Sequence, residues 1–72
     1  MNQLLTADLD FFAAALSQKM ISAWQEDEAG VYCEIGRGPV EKYTPGYVRI
    51  RNIETGRKSH YARENTMFHV VE

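Results

Sequence analysis

Residues 47–63, YVRIRNIETGRKSHYAR, contain the strongest local signal for the fold. Val48 and Ile50 alternate with polar residues, at the period of two that is typical of half-buried antiparallel strands. Residues 53–57 fit a three-residue hairpin loop in which Gly56 adopts the left-handed conformation. This segment therefore predicts two antiparallel strands joined by a tight turn.

The predicted turn also fixes which side chains share a face of the sheet. With Ile53 opposite Arg57, Val48 and Ile50 turn toward the core. The opposite face and the hairpin end then carry cations and aromatic rings, namely Tyr47, Arg49, Arg51, Arg57, Lys58, Tyr61 and Arg63. Cations can neutralise phosphates and exposed rings can stack on unpaired bases, so this set is a predicted nucleic-acid site. Cross-strand Arg–Tyr pairs that only stabilise a solvated sheet are the alternative explanation.

Short β-prone runs on either side of this hairpin extend the sheet. Strands are predicted at 31–35, 47–53, 57–63 and 67–71, with a further short strand at 40–43. In the first of these, Val31, Cys33 and Ile35 alternate with Tyr32 and Glu34 and are expected to point inward.

The N-terminal part of the chain has the pattern of one amphipathic helix over about residues 7–25, with Thr6 as its N-cap. At 100° per residue, one stripe about 120° wide is predicted to face the core. That stripe consists of Leu9, Phe12, Ala13, Leu16, Met20, Ala23 and Trp24. Three acids at residues 26–28 would lie at the negative end of this helix, so either the helix ends before Glu26 or a basic group lies nearby.

Besides the core stripe, a seam of residues runs along the other side of this helix, at the spacings of three and four that occur in coiled coils. Its central residues are Phe11, Ala14, Gln18 and Ile21. These residues are the predicted protein interface, with either a second copy of the chain or another protein. Coverage of the seam by the loop over residues 36–46 is the alternative.

Together these elements predict an α+β fold, with an N-terminal amphipathic helix packed on a four- or five-stranded antiparallel sheet. One helix followed by short, bent strands is similar in outline to SH3-like and Sm-like barrels, which implies that the sheet curls into a small barrel. The likeness covers only the order of the elements and implies no site residues. A chain of 72 residues has room for one core, so residues 1–72 are predicted to form one domain, with the β region at about 31–71.

Charge is divided unevenly along the chain, whose formal net charge is −2. Residues 1–34 hold six acids and one base, and residues 35–72 hold seven bases and four acids. This asymmetry indicates either a charged partner or attraction between the two halves within the fold. A third hypothesis is that the acids imitate nucleic acid toward a basic protein, through Asp8, Asp10, Glu26, Asp27 and Glu28.

Neither a catalytic motif nor a cofactor motif is present. The candidate soft ligands or nucleophiles Cys33, His60 and His69 have no recognised ligand spacing, and Cys33 is expected to be a small buried hydrophobe. The chain is therefore expected not to be an enzyme and to need no metal, cofactor or small-molecule substrate. No run of about 18 apolar residues and no signal-peptide pattern is present, so a cytoplasmic protein without membrane contact is expected.

These observations favour a small non-enzymatic interaction or regulatory module that binds a macromolecular partner. The expected partner is a second copy of the chain, giving a homodimer, or another protein. The alternative function is binding of single-stranded RNA or DNA by the cationic aromatic face of the sheet.

Overall fold

A computed structural model describes residues 3–71, which form one helix and seven strands. The elements in chain order are β1 (Gln3–Leu5), α1 (Asp8–Leu16), β2 (Ile21–Glu26), β3 (Tyr32–Gly38), β4 (Val40–Tyr43), β5 (Tyr47–Arg51), β6 (Lys58–Ala62) and β7 (Met67–Val70). The strands make a four-stranded sheet in the order β1-β7-β2-β3 and a three-stranded sheet in the order β4-β5-β6, and every pairing is antiparallel.

The predicted α+β class with antiparallel strands is confirmed. The strands of the described residues divide between two sheets instead of forming one, and they do not close into a barrel. The predicted domain limits, 1 and 72, lie outside the described residues.

One buried core receives side chains from α1 and from both sheets. Its members are Leu5, Phe11, Ala14, Ile21, Ala23, Val40, Val48, Ile50, Phe68 and Val70. Phe11 packs edge-on against Phe68, with ring centroids 5.4 Å apart, and stacks on Tyr43 at 6.2 Å. The helix is thereby attached to β7 of the larger sheet and to β4 of the smaller one.

The helix is much shorter than the predicted range of 7–25. It ends at Leu16 because Gln18 adopts φ 52° and the chain turns back on itself. The Lys19 N–H donates to the Ala14 carbonyl at 3.1 Å, and the Gln18 N–H donates to the Ala15 carbonyl at 3.2 Å. This is the Schellman arrangement, with glutamine in the position that glycine usually takes.

The predicted N-cap is also wrong by one residue, because Ala7 occupies that position instead of Thr6. Ala7 has no side-chain acceptor, and the Asp10 carboxylate instead accepts from the backbone N–H groups of Thr6 and Ala7, at 3.1 and 3.0 Å. Half of a capping box therefore holds the first turn.

The last third of the predicted helix is a central strand. β2 pairs with β7 on one side and with β3 on the other, and Ile21 and Ala23 are 0% exposed. Long-range pairing and burial thus override the helical pattern, as is common for strand residues. The prediction that the β region begins near residue 31 is wrong for the same reason, because both β1 and β2 precede it.

The predicted core stripe of the helix is on the wrong side. Leu9, Phe12 and Leu16 are 74%, 50% and 76% exposed. The stripe rested partly on Met20, Ala23 and Trp24, which lie beyond the end of the helix. With those positions removed, the 100° periodicity no longer distinguishes the two faces of the helix.

The hairpin between β5 and β6 forms with a loop of four residues instead of the predicted three. Asn52 and Arg57 close the loop through the Asn52 N–H and the Arg57 carbonyl at 2.8 Å, and Gly56 has the expected positive φ of 74°. The Asn52 side chain accepts from the N–H groups of Glu54 and Thr55 at 2.8 and 3.2 Å. The extra loop residue shifts the register by one, so Val48 lies opposite Tyr61 and Arg49 lies opposite His60.

The β3 strand departs from the predicted alternation. β3 lies at the edge of its sheet, and its pairing with β2 is interrupted by a bulge between Ala23 and Trp24. Val31 and Ile35 are 56% and 44% exposed, and Cys33 is exposed, so the prediction that these three side chains point inward is wrong.

Candidate functional site

The outer face of the three-stranded sheet collects positive charge. Val48 and Ile50 of β5 are buried, so the alternate residues Arg49 and Arg51 point outward. The register places Lys42 opposite Arg49 and Lys58 opposite Arg51 on the same face. We call this outer surface the cationic face. It consists of the cations Lys42, Arg49, Arg51 and Lys58, the rings of Tyr47 and His60, and the acid Glu41.

Three cations on this face surround one carboxylate. The Glu41 carboxylate lies 3.3 Å from Lys58 Nζ, 3.4 Å from Arg51 Nε and 3.7 Å from Arg49 Nε. The Arg51 and Lys58 side chains are 49% and 54% exposed. Positive charge thus exceeds negative charge here, although the whole chain is acidic, and the face can attract a polyanion.

Two rings lie beside these cations. The Tyr47 and His60 rings are in edge contact, with centroids 5.0 Å apart and planes at 64°. His60 is exposed and faces Arg49 across the strands. Rings next to cations on a solvated sheet are the elements that hold bases and phosphates of a single strand.

The structure brings together four of the seven predicted nucleic-acid residues, namely Tyr47, Arg49, Arg51 and Lys58. Arg57 is exposed at the loop end of the hairpin, next to Lys58. Tyr61 and Arg63 lie elsewhere, because the one-residue shift of the register turns both away from the cationic face. The Tyr61 ring instead packs edge-on against Phe68 of the core, at 6.4 Å.

Arg63 has a structural role inside the molecule. Its guanidinium donates to Asp8 Oδ1 at 2.6 Å, to the Thr44 carbonyl at 2.8 Å and to the Thr6 carbonyl at 2.9 Å. It also lies over the Phe11 ring, 4.7 Å from the centroid. With 15% of its side chain exposed, Arg63 is already bound to the protein itself.

The predicted helix interface is wrong for three of its four residues. Phe11, Ala14 and Ile21 are 1%, 3% and 0% exposed, because they form part of the chain's own core. Gln18 is exposed in the turn after the helix. The loop over residues 36–46, proposed as a cover for the seam, is largely strand β4 and the end of β3, and β4 does pack against α1.

The opposite side of the helix is apolar and uncovered in the described part of the chain. Leu9, Phe12 and Leu16 lie within about 60° of one another at 100° per residue. We call these three residues the outward helix face. It replaces the predicted seam as the candidate for association between proteins.

Three residues of the cationic face were missed in the sequence. Lys42 lies in the short strand predicted at 40–43, so its position next to Arg49 could have been inferred. A three-residue loop would place His60 on the inner face of the sheet, whereas the observed four-residue loop turns it outward. Glu41 joins the face through a bulge that no local pattern indicates.

The remaining candidates give no site. The described residues include no cluster of three His, Cys, Asp or Glu side chains that could hold a metal ion. Asp27 of the acidic run accepts from the Val31 N–H at 3.0 Å and from the Ala29 N–H at 2.8 Å, and the bond from Val31 lowers the pKa of that carboxyl most.

Within residues 3–71, no helix has the length and apolarity needed to cross a membrane.

Comparison of the chain with protein-family models, with curated proteins and with solved structures finds no match.

Proposed function

We propose that the chain is a non-enzymatic interaction module whose macromolecular partner is a single-stranded nucleic acid, bound on the cationic face. The observation that carries this proposal is the outward clustering of four cations and two rings on one solvated sheet. Arg49, Arg51 and Lys58 would neutralise phosphates, and Tyr47 and His60 would stack on bases. Each stacked base contributes about 1 to 3 kcal/mol in comparable sites.

The separation of this face from the acidic run at residues 26–28 supports the proposal. The acidic run at residues 26–28 lies at the end of β2 and in the following turn, on the other sheet. A net acidic domain is expected to bind a polyanion weakly and at low salt. A module of this kind would act where single-stranded RNA or DNA is accessible, which favours the cytoplasm.

Fluorescence anisotropy of a labelled oligothymidylate, about 12 nucleotides long, tests this function. Neutralisation of about three phosphates predicts that affinity falls roughly 20-fold between about 50 and about 200 mM salt. Arg51→Gln should weaken binding, and Arg37→Gln is the matched control because Arg37 lies on the other sheet, paired with Glu34. No binding at low salt, or equal losses in the two variants, would remove the proposal.

A second candidate function is self-association through the outward helix face, which would make the protein a homodimer. The observation that favours it is the exposure of Leu9, Phe12 and Leu16 on a helix of nine residues. A twofold antiparallel pairing places the N-terminus of each helix beside the C-terminus of the other helix, where the helix dipoles attract. Only three large side chains per copy would be buried, so the expected dimer is weak and concentration-dependent.

Light scattering over a range of concentrations tests this second candidate. The wild type should approach the mass of a dimer, and Phe12→Glu should stay monomeric. Ile53→Glu is the matched control, because Ile53 is another exposed apolar residue, 54% exposed at the hairpin tip. A wild type that stays monomeric at high concentration would leave another protein as the partner of this face.

We infer that the two sheets are the halves of an opened barrel similar in outline to SH3-like and Sm-like barrels. Its support is that β3 continues through Pro39 into β4, and that the Arg51 N–H donates to the Pro39 carbonyl at 3.2 Å.

A further inference from the structure

Glu41 reaches the cationic face because of a β-bulge. The pairing of β4 with β5 shifts between Val40 and Lys42. Val40 is buried opposite Ile50, and Tyr43 packs against the core, so two successive residues between them point outward. A bulge redirects a side chain in this way, and bulges are frequent next to functional sites.

The contacts that hold Glu41 are ionic and are not hydrogen bonds. Within the described residues, none of its three cation contacts at 3.3 to 3.7 Å has the geometry of a hydrogen bond. By contrast, Glu34 accepts two hydrogen bonds from Arg37, at 2.8 and 3.2 Å. The Glu41 carboxylate is therefore a weakly held anion at the centre of the cations.

We propose that the Glu41 carboxylate occupies the position of a ligand phosphate, and that a single-stranded nucleic acid displaces it on binding. This inference rests on the proposed function of the cationic face. A phosphodiester carries one negative charge, as the carboxylate does, so each can pair with the same three cations. Glu41 acts as a built-in competitor that lowers the affinity of the face for a polyanion.

Glu41→Gln gives the direct test, because the amide keeps the shape of the side chain and removes its charge. We expect it to bind the oligothymidylate about fivefold more tightly at low salt, the effect of one unit charge at about 4 Å in water. The slope of log affinity against log salt should become steeper by about 0.7, because the variant has no displaced carboxylate to take up one of the released cations. Glu28→Gln, the same change in the turn between β2 and β3, is the matched control and should change neither quantity.

Failure of the competitor role of Glu41 and failure of the proposed function give different results in this experiment. If the wild type binds and Glu41→Gln binds no more tightly, the competitor role of Glu41 is overturned while the proposed function stands. If neither protein binds at low salt, both are overturned. Thermal melting shows whether Glu41→Gln is folded, and Glu41→Ala is a second variant with the same expected tightening.

Discussion

Phe11 and Phe12 are adjacent and chemically identical, yet their side chains are 1% and 50% exposed. Phe11 contacts Phe68, Tyr43 and the guanidinium of Arg63, whereas Phe12 lies on the outward helix face. A step of 100° around a helix is enough to separate them. The difference in burial, and not residue type, decides what each contributes to stability.

Alanine substitutions at these two positions give a matched pair. Phe11→Ala should lower the free energy of unfolding by about 3 to 5 kcal/mol, because it removes a ring and leaves a cavity in a small core. Phe12→Ala should lower it by less than about 1 kcal/mol, since half of the ring is already in water. Urea denaturation followed by circular dichroism measures both, and equal losses would contradict the assignment of the inner face.

At the scale of elements, the start of α1 depends on one carboxylate. The hydrogen bond from the Ala7 N–H, followed by that from Thr6, holds the pKa of Asp10 below its ordinary value of 3.8. A carboxyl whose pKa is lowered by folding stabilises the folded state at every pH above the pKa that it has in the unfolded chain. That contribution is lost as the pH falls through the folded-state pKa.

Asp10→Asn should therefore flatten the dependence of stability on pH. Between about pH 5 and about pH 3, the melting temperature of the wild type should fall more steeply than that of the variant. The variant should keep some slope, because the Asp27 carboxyl also has a lowered pKa in the folded protein. Thermal melting across this pH range provides the measurement, and parallel curves would contradict the role of Asp10.

The junction of β3 and β4 passes close to β5 and requires glycine. A methyl group on Gly38 would overlap the backbone carbonyl oxygen of Arg51, whereas one on Gly36 would meet only the hydroxyl end of the Tyr61 side chain. Backbone in a paired strand cannot move away, but a side chain can.

We thus expect Gly38→Ala to destabilise the protein by about 1 to 3 kcal/mol, and Gly36→Ala by clearly less. Chemical denaturation of the two variants side by side tests this order. A larger loss for Gly36→Ala would show that Tyr61 is held more rigidly than the strand backbone.

At the scale of the whole molecule, Arg63 connects segments that are distant in sequence. Its three hydrogen bonds reach the link between β1 and α1, the first turn of α1 and the turn between β4 and β5. The Asp8–Arg63 pair also joins the acidic half of the chain to the basic half. The remaining cations of the basic half lie mainly on the cationic face, which is open to solvent, so attraction between the halves accounts for only part of the charge asymmetry.

Arg63→Ala should accordingly cost about 2 to 4 kcal/mol of stability, because several charge-assisted hydrogen bonds are lost and two backbone carbonyls lose a donor. Arg51→Ala should cost less than about 0.5 kcal/mol, as an exposed residue in a surface ion pair does. Denaturation curves of the two variants measure these losses in the free energy of unfolding. Comparable stability of the two variants would contradict the structural role of Arg63.

Local sequence patterns were enough to predict the class of fold, the left-handed turn at Gly56 and the strands on either side of it. They also indicated that Tyr47, Arg49 and Arg51 share one face of the sheet. These features depend on local backbone preference and on an alternation of two residues, both of which are visible over a few positions. Composition and the spacing of apolar and turn residues were therefore sufficient to predict these features.

Tertiary structure alone decided where the helix ends, which side of it is buried and which residue opposes which across the hairpin. Gln18 takes a conformation that its residue type does not favour, and residues 21–24 are drawn into a sheet by partners more than 40 positions away. The hairpin loop closes between Asn52 and Arg57, and this shift of one residue in the register exchanges the two faces of β6. Such outcomes depend on long-range pairing and on core space, whose free energies exceed local propensities, so no short stretch of sequence specifies them.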